Sequence, residues 1–305
     1  MNRIEIAGGG YTARIDPAHG ANCISLRHSG YGAVLLREPT CGDGEPDNPY
    51  LYGMPLLFPV NRISGGCFTL DGRDYRFPIN EPSTGCHLHG TLHRAPFAVE
   101  VLEADRVVLA RRETAYHGFP HAFELRIGYA LSEGGLLHET EVINLSDTPM
   151  PCMLGYHTTF NTAFAGGREV RAQVGIAAEY ERNMKNYLPT GRMPAPDAVS
   201  RALQSGDFSP FSEPISRHYR ASADGRMTIY DRTHGLRLVY ENDAEYAYRL
   251  IYNGAADEYI CMEPQTCAIN APNTPYTDGS ERLPLIAPHE SKKYTSKIYL
   301  EDIET

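Results

Sequence analysis

Phe123-Glu124-Leu125-Arg126-Ile127-Gly128-Tyr129, then Ser132-Glu133-Gly134-Gly135, then Leu137-His138-Glu139-Thr140-Glu141-Val142-Ile143 is the stretch that decides the fold. Apolar and polar residues alternate along the first run, the period of a half-buried strand. The Ser-Glu-Gly-Gly segment is a turn signal, so the whole reads as a β-hairpin. The same pattern recurs outward. Arg106 to Ala110 is a short strand candidate. Met227 to Tyr230 and Leu236 to Tyr240 flank a turn at Asp231 to Gly235, and Lys293 to Leu300 supplies a last strand. No sustained helical stripe and no alternating βαβ pattern are visible, which argues against a parallel α/β sheet. With 28 Gly and 22 Pro punctuating 305 residues, the expectation is an all-β protein, a large antiparallel β-sandwich. Asn183 to Pro214, rich in Pro, Ser and Gly, reads as a long ordered excursion over the surface rather than a linker. Residues 1–305 are therefore expected to form one domain.

The formal net charge of -10 disfavours nucleic acid, whose phosphates require a basic face, and anionic membranes. No stretch approaches the roughly 20 apolar residues of a membrane helix, and Met1 to Ile6 shows no apolar leader core. The seven cysteines, Cys23, Cys41, Cys67, Cys86, Cys152, Cys261 and Cys267, are scattered and odd in number. They read as reduced thiols, mostly buried as small hydrophobes, in a cytoplasmic protein. Trp is absent and Tyr numbers 20, so any sugar-stacking face must come from Tyr or Phe.

Three polar sites lie in this strand-like sequence. The first is Asn61-Arg62 with His87-Leu88-His89-Gly90, the second Gly155 to Asn161 around His157, the third Met262-Glu263-Pro264-Gln265-Thr266. On a strand, His87 and His89 would point the same way, with His93 four residues on, which is metal-ligand spacing. The pattern is similar to one cupin motif but lacks the glutamate expected after it, and no metal is assigned. Glu263 ends a largely apolar run; there a carboxylate is costly unless paired, with Arg62 as a candidate partner, or functional, with its pKa raised towards that of a useful base. His157 is either a core histidine bonded to backbone or an acid/base group near neutral pH. Arg62 has donors enough to clamp sugar hydroxyls or to make a surface ion pair. Nucleophile-elbow, P-loop and zincin motifs are absent, and Gly8-Gly9-Gly10 precedes a strand rather than a helix.

Taken in order, Phe58-Pro59-Val60-Asn61-Arg62-Ile63-Ser64-Gly65-Gly66, Leu70-Asp71-Gly72, Leu88-His89-Gly90, Gly155-Tyr156-His157-Thr158-Thr159-Phe160-Asn161 and Glu263-Pro264-Gln265-Thr266 resemble the aldose 1-epimerase (galactose mutarotase) family. The resemblance spans nearly the whole chain. It implies a β-sandwich that interconverts the α and β anomers of an aldohexose without a cofactor, as monomer or homodimer, with a monosaccharide as its partner. It further implies Glu263 as general base, His157 as general acid, and Asn61, Arg62 and His89 as sugar binders. The acid and base are expected on opposite sides of the hemiacetal. One departure is visible: where the family usually has a substrate-binding Asp, within Ile215-Ser216-Arg217-His218-Tyr219, this chain has Ser216. A non-catalytic sugar binder or sensor is one alternative. An epimerase for phosphorylated sugars is another, and would need extra cations at the pocket rim, for which Arg111-Arg112 or Lys185 are candidates.

Overall fold

A computed structural model describes residues 2–40 and 46–303, and it is built almost entirely of antiparallel strands. An eight-stranded sheet runs, edge to edge, through Ala98–Leu102, Arg106–Glu113, Phe123–Ser132, Gly135–Asn144, Ser291–Asp302, Leu236–Asn242, Arg226–Asp231 and Val170–Val174. The hairpin expected from the opening stretch is there: Phe123 pairs with Asn144 and Ser132 with Gly135, in unbroken register. Its alternation is that of the sequence, with Phe123, Leu125, Ile127, Tyr129 and Leu131 buried and the residues between them less so. The two hairpins, the strand Arg106 to Ala110 and the C-terminal strand read from sequence all belong to this sheet, each extended by a few residues.

The second large sheet has seven strands. Ile176–Tyr180, Ser216–Ala221, Tyr248–Tyr252, Tyr259–Gln265, Gly155–Tyr156 and Leu56–Leu57 lie in that order, and Thr159–Asn161 also pairs with Tyr259–Gln265. The two sheets pack face to face. Tyr156 Oη meets Thr140 Oγ1 at 2.6 Å, and Thr158 Oγ1 meets Tyr240 Oη at 3.0 Å, so residues 156 and 158 face the eight-stranded sheet. Successive side chains on extended chain point oppositely, which turns His157 to the other face. The buried apolar side chains form one continuous cluster that includes both sheets and the N-terminal four-stranded sheet, Ile4–Gly8 to Ala33–Val34.

The 183–214 excursion contains one element not foreseen, the helix Ala198–Ser205. Asp197 caps it by accepting from the Ser200 amide, and Gly206 ends it at φ 80°, a left-handed conformation that suits glycine. Eight residues span barely two turns, too few for a periodic signature to stand out. Of the cysteines, Cys23, Cys86, Cys152, Cys261 and Cys267 are buried and Cys67 is exposed; Cys41 lies outside the described residues. No helix among the described residues is long and apolar enough to cross a membrane.

Candidate active site

The strand Tyr259–Gln265 is buried along its whole length, yet its two faces differ in chemistry. Cys261 Sγ lies 3.3 Å from Thr159 Oγ1 and Glu263 lies beside His157, so the odd-numbered residues face away from the eight-stranded sheet. Register carries this face across the sheet. Glu263 pairs with Leu250, which pairs with His218; Cys261 pairs with Tyr252, which pairs with Ser216. A cavity of about 460 Å³ opens on this face, within the range of small-molecule sites. Its walls include Tyr50, Asn61, Arg62, Glu81, His89, His157, Arg182, Tyr187, Ser216, Leu250 and Tyr252. A second recess of about 440 Å³, walled by Gln173, Asp224, Arg226, Tyr230 and Arg237 among others, holds none of the residues singled out from sequence.

Four of the five sequence-named residues, Asn61, Arg62, His89 and His157, line the first cavity. The fifth, Glu263, lies just beneath its floor with no accessible surface. His157 Nε2 approaches Glu263 Oε1 to 3.2 Å, but the alignment is not that of a hydrogen bond, and Oε1 is left without a partner. Oε2 accepts from Gln265 Nε2 at 3.3 Å. Burial drives the carboxyl up to about 8, against weaker opposing pulls from the charge of Arg182, the Gln265 hydrogen bond and the charge of Arg62. Burial drives the imidazole the other way, down to about 4. Both shifts favour the uncharged forms, as expected where water is excluded. The acid and the base, expected on opposite sides of the hemiacetal, are neighbours in this fold. The physical reason is register, since His157 immediately follows Gly155-Tyr156, whose Gly155 pairs with Gln265.

Asn61 and His89 hold each other. The His89 amide donates to the Asn61 carbonyl at 3.1 Å, and the Asn61 amide donates to His89 Nδ1 at 3.3 Å. Because Nδ1 accepts, the proton of the neutral ring sits on Nε2. Both residues have left-handed backbones, φ 59° each, an uncommon state for non-glycine residues and one that clusters at functional sites. That conformation overturns the expected H-x-H pairing. The strand ends at Leu88, His89 turns into the cavity, and His87 points elsewhere, donating from Nδ1 to the Pro78 carbonyl at 2.7 Å and stacking on Phe77. His93 lies in a 3-10 turn against Tyr50. No grouping of three or more His, Cys, Asp or Glu side chains among the described residues has metal-site geometry.

Arg62 does not pair with Glu263, as one reading of the sequence allowed. It makes a two-pronged bond to Glu81, 2.7 Å at both Nε and Nη2, and lies over the Tyr187 ring. Wall residues that the sequence reading missed include Tyr50, Glu81, Arg182, Tyr187 and Tyr252. Arg182, in the loop after Ile176–Tyr180, donates from Nη2 to the Ser216 carbonyl at 2.5 Å and to Ser216 Oγ at 2.7 Å. Neither Arg111, Arg112 nor Lys185 is on the cavity wall. Arg111 is engaged by Glu113 and the Pro96 carbonyl. The only sequence cue to Arg182 was its place at the start of the loop; charge alone did not separate it from 27 other Lys and Arg residues. Tyr50, Tyr187 and Tyr252 supply the aromatic surface that a chain without Trp must draw from tyrosine.

Residues 2–299 match the aldose 1-epimerase family, and the chain belongs to that family. It is 31% identical to a galactose mutarotase-like protein of Clostridium acetobutylicum of known structure, over 98% of this chain and 95% of that one, with a TM-score of 0.91. It is 28% identical over 156 residues to YihR, an uncharacterized protein of Escherichia coli (strain K12), covering 50% of this chain and 48% of that protein. It is also 28% identical over 165 residues to galactose mutarotase of Rattus norvegicus, covering 52% and 45% respectively. These alignments span about half the length of the curated relatives.

Proposed function

We propose that this member of the aldose 1-epimerase family interconverts the α and β anomers of an aldohexose, with Glu263 and His157 as its proton-transfer pair. The observation that carries the reading is the 3.2 Å approach of His157 Nε2 to an otherwise unpartnered Glu263 Oε1 at the floor of the cavity. Ring opening of a hemiacetal takes a proton from the C1 hydroxyl and gives one to the ring oxygen. Both oxygens are bonded to the same carbon, so an acid and a base that are neighbours can each reach one. Between about pH 4 and 8 the pair holds a single proton. In the opening direction Glu263 as carboxylate takes the C1 hydroxyl proton while His157 as imidazolium protonates the ring oxygen. Rotation of the freed aldehyde and closure on its other face return both protons with the roles reversed.

Burial favours the tautomer with the proton on Glu263. The active tautomer needs only a proton shift between two atoms already 3.2 Å apart. Reaching Oε1 also requires the sugar to displace part of the floor, where Leu250 is the register partner of Glu263. Asn61, Arg62 and His89 are assigned to hold the hydroxyls, with His89 donating from Nε2. Polarimetry on freshly dissolved α-D-glucose and α-D-galactose tests the reading. The expected result is an equilibration rate that rises in proportion to protein concentration, and a rate fixed at the buffer value across a broad aldose panel rejects it.

A further inference from the structure

The two arginines of the cavity wall are not equivalent. Arg62 is neutralised by Glu81. Arg182 is 8% exposed, and among the described residues no carboxylate lies within ion-pair distance of it; both its acceptors, the carbonyl and hydroxyl of Ser216, are uncharged. Only Nη2 of its fork donates to the protein. Two other guanidinium groups act on it, Arg62 most strongly and Arg217, itself held by Glu179 and Asp197. Glu263 and, more weakly, Tyr187 act on it in the opposite sense, and neither is within ion-pair distance of it. Burial lowers Arg182 only to about 10, so at neutral pH it is a cation. Both guanidinium groups lie over the Tyr187 ring, Arg62 at 4.7 Å and Arg182 at 5.9 Å from its centre. A buried charge without a counter-charge is costly, and a guanidinium with free donors facing a cavity matches a planar or tetrahedral oxyanion.

We infer that the aldose this cavity is built for carries an anionic group, a carboxylate or a phosphate, that supplies the counter-charge Arg182 lacks. The inference rests on the anomer-interconversion reading for the chemistry at C1, but the charge argument is independent of it. A neutral hydroxyl would accept a hydrogen bond from Arg182 and leave the charge uncompensated. An oxyanion does both, so discrimination is carried by binding rather than by the proton-transfer pair.

The test is exchange NMR of anomer interconversion for D-glucose, D-galactose, D-glucuronate, D-galacturonate and glucose 6-phosphate, with wild type, Arg182→Gln and Ser216→Asp. Wild type is expected to show kcat/KM roughly tenfold or more higher for at least one anionic aldose than for its neutral parent, expressed in KM, the scale of one charge-assisted contact. A uronate response without a phosphate response identifies a carboxylate, and the reverse a phosphate. R182Q is expected to lose at least about tenfold more on the anionic than on the neutral sugar. S216D, which sets a carboxylate beside the guanidinium, is expected to move preference towards neutral aldoses. A wild type that prefers neutral aldoses, or an R182Q protein with an unchanged anionic-to-neutral ratio, overturns the inference. If R182Q does not fold, S216D makes the same comparison. If no sugar is turned over, the proposed reaction fails, and calorimetry with the same five sugars decides this point separately. Anion-selective binding that R182Q or S216D abolishes upholds it; equal binding of neutral and anionic sugars, or none, overturns it.

Discussion

Tyr156 and His157 are adjacent in the chain and both are buried, but they belong to two regions with opposite logic. Tyr156 faces the space between the sheets, where its hydroxyl meets Thr140 at 2.6 Å. Beside it His138 is pushed down to about 3 by burial, stacks on Tyr129 and lies edge-on to Tyr156, and among the described residues no carboxylate lies within ion-pair distance of it. His157, pushed down to about 4 by the same cause, faces a carboxylate and a cavity. Burial and a perturbed imidazole are thus common to both regions. What separates the site from the core is a second titratable group shifted in the opposite sense, with room beside it for a ligand. Unsatisfied atoms alone do not separate them, since His138 Nδ1 and Glu263 Oε1 both lack a partner.

The sharpest way to break this contrast is Glu263→Gln. It is expected to lower the rate of anomer interconversion by about 10²–10⁴-fold, the scale of a positioned proton-transfer group, while circular dichroism stays unchanged. A Glu263→Gln enzyme with wild-type turnover would make the site no different from the core. Next in size is the pH dependence. Activity is expected to fall about tenfold per pH unit below about 4, where both groups are protonated and no base remains, and above about 8, where both are deprotonated and no acid remains. A profile flat from pH 6 to 10 would remove the pair from the mechanism.

On the core side, Thr140→Val deletes the Tyr156 contact. It is expected to cost about 1–2 kcal/mol in denaturant unfolding with kcat little altered, because Tyr156 points away from the cavity. A large loss of kcat without a loss of stability would mean that the two regions are coupled. A further comparison is in the stability-versus-pH curve. Native Glu263 keeps its proton up to about 8, whereas an unfolded glutamate, near 4.5, releases it; the native state therefore binds more protons, and stability falls as pH rises through that window. His157 acts in reverse, adding stability as pH rises from about 4 to 6.5, so the net fall is confined to about pH 6.5–8. Because both proteins keep His157, thermal melts of Glu263→Gln against wild type should diverge from about pH 4.5 to 8 in favour of the variant. Parallel curves would show that Glu263 does not titrate there.

Much of the architecture was legible because strand alternation is local. The hairpin around Ser132 to Gly135 and the C-terminal strand carry an apolar-polar period that burial then reproduces, while the strands flanking Asp231 to Gly235 were marked by their β-rich composition and the turn between them. Asn61, Arg62, His89 and His157 at the cavity wall, with Glu263 under its floor, were nominated by short ordered motifs. The helix Ala198–Ser205 escaped because eight residues hold too little periodicity. The direction of His89 escaped because a left-handed backbone at that residue breaks the period-two rule. Arg182 escaped because nothing in a list of charged residues says which of them lacks a counter-ion.

The chain by itself therefore determined the β class, the family and the residue types available for proton transfer, since these depend on side chains within a few positions of one another. Only the tertiary structure decided that His157 and Glu263 touch, that Arg62 is spoken for by Glu81, and that Arg182 faces the cavity with its charge uncompensated. The first depends on register between strands more than a hundred residues apart, the other two on how segments 19 and 34 residues apart fold against each other and which groups lose water together, and none of this is written in any local stretch of sequence.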